Sequence, residues 1–225
     1  MLKRWRYSGL LTEAFSLFCR MLEVVGRMFE ASKRVFREAE DEDDVVAELH
    51  RMEDETDNFH TEIRRKIVEY LSLVQGGDVI AALLLFSAVH DAERLADLAV
   101  NIAEAVRLLP PDKREGQYFG EIKEVEGHLE RMVALTIKAF CEQDEGAARE
   151  ALMLRAPIAA ACNSLLSKIA SDERVSPARA VALTLLERYL KRTAAHLFHI
   201  AATVANPKMV IEHTKTPQPP SSKNP

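Results

Sequence analysis

Glycine and proline are scarce in this chain, 8 and 9 among 225 residues, and most of the prolines fall at Pro110–Pro111 or after residue 206. So few breakers leave long uninterrupted segments, which favour helices and exclude a fold rich in tight turns. There are three cysteines, Cys19, Cys141 and Cys162, an odd number without CxxC spacing. That excludes a disulfide framework and reads as reduced, buried thiols of a cytosolic protein. The longest mainly apolar stretch, Val79–Val89, is eleven residues with Ser87 its one polar residue, and is too short to span a bilayer. Met1–Tyr7 is basic and aromatic, but Glu13 and Arg20 interrupt the apolar stretch after it, so no signal peptide is predicted. A frayed helix start is the simpler reading of that leader; contact with an anionic membrane surface is the alternative. An excess of positive charge is also lacking. A formal net charge of −5 and the absence of any basic recognition motif exclude a general nucleic-acid binder.

What is present is helical periodicity. Apolar residues make up 48% and charged residues 29%, enough to build a real core. Six helical segments are predicted. The first runs from Leu10 to Ala39. The second comes after the acidic cluster Glu40–Asp44, which suits a helix N-terminus, and ends before Gly76–Gly77. The third runs from Val79 to Leu109 and stops at Pro110–Pro111. The fourth spans Phe119–Glu142 and the fifth Glu145–Ala170. The sixth begins after Ser176–Pro177, a capping residue with proline in the first turn, and stops before Asn206–Pro207. The composition of 207–225 cannot build a core and predicts a disordered tail. The fold class is therefore all-α. Two tandem three-helix bundles are expected, over 1–109 and 117–206, separated by the polar stretch Asp112–Gln117.

One pattern occurs twice: His50-x-x-Glu53-x-x-x-Asp57, then His90-x-x-Glu93-x-x-x-Asp97. Steps of three and four residues put each set on one helical stripe, and carboxylates four apart lie within ~6 Å. On the second segment Val45, Leu49, Met52, Thr56, Phe59, Ile63 and Ile67 form the core stripe, with Glu53 and Asp57 beside it. On the third, Leu84, Ala88, Leu95, Leu98, Ile102 and Val106 do so, and His90, Glu93, Asp97, Asn101 and Glu104 form a separate band. Antiparallel neighbours would bring the two acidic edges to one seam. So much negative charge needs a cation or full solvation. The candidate ligands are Glu53, Asp57, Glu93 and Asp97, with His50 and His90 as weaker candidates. Oxygen with some imidazole suits iron, manganese or zinc. Arg94 reads as a partner for acids near Glu93 or across the bundle.

The halves also read as copies. Aligning His90–Asp97 with Arg188–Ala195 places Asn101–Ala103 on His199–Ala201, and Glu53–Asp57 falls on Ala156–Ala160. Glu53 and Asp57 become Ala156 and Ala160, while Glu93 and Asp97 become Lys191 and Ala195. The second half has lost its counterpart of the acidic seam, which makes the acids separable from the fold.

The run Ala92–Glu104 contains Glu-Arg-x-x-Asp-x-x-x-Asn-Ile and resembles the signature helix of the PhoU family. The segment Met52–Asp57 resembles that family's other E(D)xxxD motif, and the repeated six-helix plan is similar over about residues 10–205. The resemblance implies a cytoplasmic, non-enzymatic regulator of inorganic phosphate uptake. Its partners would be a phosphate transporter, a sensor kinase, or both, with membrane association only through the partner; self-association into a homo-oligomer is left open. It also implies surface metal ions held by the E(D)xxxD pairs, here Glu53, Asp57, Glu93 and Asp97; phosphate binding at an exposed metal position is a further expectation of our own reading. Two rivals stand beside this reading. One is a metal-free helical adaptor of an anion transporter with a solvated acidic face. The other is a di-metal helical-bundle enzyme, whose sites need Glu-x-x-His from four helices, whereas here His precedes Glu on two.

Overall fold

The computed structural model describes residues 9–37, 42–73 and 77–206. The basic leader, the tail from Pro207, and Ala39, Glu40, Asp41 and Gly76 lie outside the described residues. Within them there are six α-helices and no strand: α1 (Gly9–Arg37), α2 (Glu42–Leu73), α3 (Val79–Arg107), α4 (Gln117–Cys141), α5 (Glu145–Ser171) and α6 (Pro177–Ala205). A short 3-10 turn, Pro111–Lys113, comes after α3. None of the described helices is long and apolar enough to cross a membrane.

Helix boundaries fall where the local chemistry sets them. Glu42, Asp43 and Asp44 occupy the first turn of α2, opposite the positive end of its dipole. Asp78 caps α3 by accepting from the Ala81 amide at 2.9 Å, and Asp144 caps α5 through Ala147 at 2.9 Å. Ser176 caps α6, with Pro177 in its first turn. Gly116 precedes α4 at φ 85°, a left-handed conformation that a side chain would strain.

Helices α1, α2 and α3 pack on one another, as do α4, α5 and α6. The two triplets meet where α3 lies on α6 and α1 on α4. The second contact is aromatic: Phe140 of α4 stacks on Phe15 (centroids 5.0 Å) and meets Phe18 edge-on (4.7 Å). The predicted α2 stripe is buried except for Met52, which is half-buried. Helix α3 departs from a single stripe. Its alanines, Asp91 and Val100 are buried as well, because it is covered by α1 and α2 on one side and α6 on the other.

The thiols are less separate than their spacing suggests. Cys162 is buried, but Cys19 and Cys141 are half-buried and hydrogen-bonded to each other. The Cys19 S–H donates to Cys141, which pushes Cys19 above the ordinary thiol range and holds Cys141 below it. Burial pushes Cys162 up to about 12. Under a mild thiol reagent near pH 8, Cys141 is expected to label first and Cys162 only on unfolding. Early modification of Cys162, located by peptide mass mapping, would contradict this packing.

Candidate functional site

All six predicted ligands are described, and the α2–α3 seam does gather acids from both helices. On α2, His50 Nδ1 lies 3.0 Å from Glu53 Oε2, and its Nε2 reaches across to Glu104 Oε1 of α3 at 3.9 Å. On α3, Glu93 is the most enclosed of the four acids. Its Oε2 is buried and has no hydrogen bond; Arg94 Nε at 3.0 Å and His90 Nδ1 at 3.7 Å make charge contacts without the required alignment. Burial pushes the Glu93 carboxyl up, and the Asp97 charge pushes it further. Arg94 and His90 oppose this, while Asp57 on the facing helix adds to it. Glu93, Asp97 and Asp57 therefore share one electrostatic environment.

The guanidinium of Arg94 holds that environment together. It contacts Glu93 and donates from Nη1 to Asp97 Oδ2 at 2.7 Å. It thus pairs with two of the candidate ligands themselves and not only with acids around them. Asn101 Nδ2 donates to the Asp97 backbone carbonyl at 2.6 Å, locking the same stripe. Nearby, burial lowers the pKa of His60, with Arg64 and His90 adding to the effect.

The second half has the opposite electrostatics. Where the first half carries its acids, Arg155, Arg188, Lys191 and Arg192 line a groove of about 240 Å³ together with Ala159 and Ala195. None of these four cations forms an ion pair with a described carboxylate. Lys191 instead donates from Nζ to Asn163 Oδ1. The nearest acid on the same helix, Glu187, is 2% exposed; burial pushes its carboxyl up, against the pull of Lys191 and Arg188.

A third constellation lies outside the residues that the sequence singles out. Asp91 of α3 is 8% exposed, and His196 and His199 of α6 converge on its Oδ1 with their Nδ1 atoms at 2.8 and 3.5 Å. Burial pushes the Asp91 carboxyl up, but the hydrogen bonds from His196 and His199 outweigh it and leave it below the ordinary range. Among the described residues this is the one group of three His, Cys, Asp or Glu side chains whose ligand atoms all lie within 4.8 Å of one another. The seam acids do not reach that convergence with Arg94 in place.

Residues 18–106 match the family model of the PhoU domain, a stretch that takes in most of α1, all of α2 and nearly all of α3. The first half of the chain thus carries a PhoU-domain match. It is similar to the phosphate-specific transport system accessory protein PhoU homolog 1 of Thermotoga maritima, 29% identical over 130 residues. That alignment covers 51% of this chain and 55% of the relative, so the chain spans about half the length of the curated relative it matches. Among solved structures, PhoU from Pseudomonas aeruginosa superposes with a TM-score of 0.80 at 17% identity, over 88% of this chain and 97% of that one. The phosphate transport system regulatory protein PhoU from Streptococcus pneumoniae gives 0.73 at 16% identity, over 88% and 96%. The PhoU domain match contains all six predicted ligands, whereas Lys191 and Ala195 fall outside it. The PhoU fold nevertheless continues through both halves, since each superposition covers 88% of the chain.

Two signals for the third constellation are present in the sequence. His196-x-x-His199 has the spacing that places two imidazoles on one helical face, and Asp91 is a lone acid between buried Val89 and Ala92. What links them is a contact across 105 positions of sequence.

Proposed function

We propose that this protein is a PhoU-family regulator of inorganic phosphate transport, acting from the cytoplasm on a transporter or its sensor kinase by metal-dependent docking and without catalytic chemistry of its own. The observation that carries the reading is the α2–α3 seam, where Glu93 buries an oxygen that lacks a hydrogen bond beside Asp57, Asp97 and a bridging Arg94. A buried carboxylate oxygen left in this state is costly, and a cation relieves that cost. Glu53, Asp57, Glu93 and Asp97 would hold an iron, manganese or zinc ion, with His50 and His90 at the margin. The ion supplies the counter-charge that Arg94 otherwise supplies. Arg94, relieved of that task, becomes available to an acidic group or phosphate on the partner, which couples occupancy to the docking face. The T. maritima relative's name, an accessory protein of phosphate-specific transport, supports the assignment of partner.

Loss of the protein should raise phosphate uptake in phosphate-replete cells, read with radiolabelled phosphate. The parent gene should restore control, and a Glu93→Ala/Asp97→Ala variant of normal abundance should not. Uptake indifferent to the deletion would remove the regulatory reading. Restoration by the variant would leave regulation standing and remove the metal-dependent step.

A further inference from the structure

We propose that Asp91, His196 and His199 form a second, separate site for a divalent transition-metal ion of the zinc class, which clamps α3 of the first triplet to α6 of the second. One carboxylate and two imidazoles form a donor set suited to zinc and its neighbours in the first transition row, whereas magnesium and calcium take oxygen. The spacing is close to what coordination requires. Bonds of about 2.0–2.1 Å in tetrahedral geometry place ligand atoms roughly 3.3 Å apart, against the observed 2.8 and 3.5 Å from Asp91 Oδ1 to the two Nδ1 atoms. Those two distances need adjustments of tenths of an ångström, and all three ligand atoms lie within 4.8 Å of one another.

The ligands are held in place before any ion arrives. Asp91 is fixed in the most buried helix of the fold, and the two imidazoles occupy one face of α6, edge to face with centroids 6.3 Å apart. Each Nδ1 now directs its proton at Asp91. Coordination through Nδ1 moves that proton to Nε2, a tautomer change with no net proton loss from a neutral imidazole. Hydrogen bonds from the imidazoles offset the buried carboxylate charge only in part, so a divalent ion improves that balance. The side-chain exposures run from 11% at Asp91 through 19% at His196 to 48% at His199. The cluster therefore opens to solvent on the His199 side, where water can complete the coordination shell, as in zinc sites with three protein ligands.

This site differs from the seam in residues, in helix pair and in consequence. The seam joins α2 to α3 within the first triplet, whereas Asp91 and the histidines join the two triplets. Occupancy there fixes how the halves sit on each other.

The test uses the full-length chain stripped of metal by a chelator and then titrated with Co²⁺ as a spectroscopic probe and with Zn²⁺ for thermal melting. The titration is made in the Glu93→Ala/Asp97→Ala background, which removes two of the seam acids; that protein should develop visible ligand-field bands of low-symmetry Co²⁺, saturating near one ion per chain. Its melting temperature should rise by roughly 5–10 °C at about a hundredfold excess of Zn²⁺ over Kd. Both signals should vanish when His199→Ala, a half-exposed position that the fold tolerates, or the nearly isosteric Asp91→Asn is added to that background. Absence of the bands in the background, or their retention after either addition, overturns the proposal. Bands that appear in the parent and not in the background overturn it as well and assign the ion to the seam. Because the seam acids are removed from the test, failure here leaves the regulatory reading untouched.

Discussion

Replacing Arg114 with alanine is expected to destabilise the protein by about 3–5 kcal/mol, the usual cost of breaking a buried ion pair from one side. The Arg114 side chain is 7% exposed, although it comes from the polar connection between the triplets. Its Nε donates to the Leu109 carbonyl at 2.8 Å, and its Nη1 donates to the Val35 carbonyl at 3.1 Å and pairs with Glu42. Val35 lies in the last turn of α1, Leu109 just beyond α3, and Glu42 opens α2. One guanidinium thus satisfies carbonyls that the helix ends leave without intrahelical partners, and it neutralises an acid that is 17% exposed. Alanine strands all three groups. Arg114→Lys should lose most of the same energy, because a single ammonium cannot reproduce the planar fork. Urea unfolding provides the measurement, and a loss below about 1 kcal/mol for Arg114→Ala would mean that water replaces the guanidinium.

Phe140→Ala should cost a similar amount, about 3–5 kcal/mol, for a different reason. Phe140 is 2% exposed and fills the joint between α1 and α4 against Phe15 and Phe18. Truncation leaves a cavity at a place where neither helix can collapse without shifting a whole triplet. Phe140→Leu should recover more than half of the loss. If the joint is what makes the two triplets unfold together, the alanine variant will also broaden the urea transition, lowering the apparent m-value. An unchanged slope with a lower midpoint would place the coupling at the α3–α6 contact instead.

All six helices are legible in the sequence because breakers and caps bracket them: Pro110–Pro111, Asp144, and Ser176 with Pro177 act through their own neighbours. Helix α3 reads as one stripe because periodicity reports a single partner. Its second buried face belongs to α6, and nothing local announces a helix that lies far along the chain. The same limit applies to sites. Glu93 and Asp97 share a stripe by spacing alone, and Asp57 faces them because adjacent antiparallel helices must pair. The bridge by Arg94 depends on a rotamer, which spacing does not set. The Cys19–Cys141 contact and the Asp91–His196–His199 cluster join residues that only tertiary packing brings together, so their sequence traces are faint.

The contrast between the halves gives the molecule an electrical polarity. Acids at Glu53, Asp57, Glu93 and Asp97 lie on α2 and α3, while Arg155, Arg188, Lys191 and Arg192 line a groove on α5 and α6 without partners among the described carboxylates. A body so polarised turns in the field of a charged partner before touching it, so its encounters are biased towards one orientation. Steering of this kind speeds arrival more than it prolongs residence, and it fades as salt shortens the Debye length to about 8 Å at physiological strength. Raising ionic strength should therefore slow association while leaving dissociation nearly constant. If dissociation carried the salt dependence instead, the two charged faces would be part of the contact itself and would have no role in guiding approach.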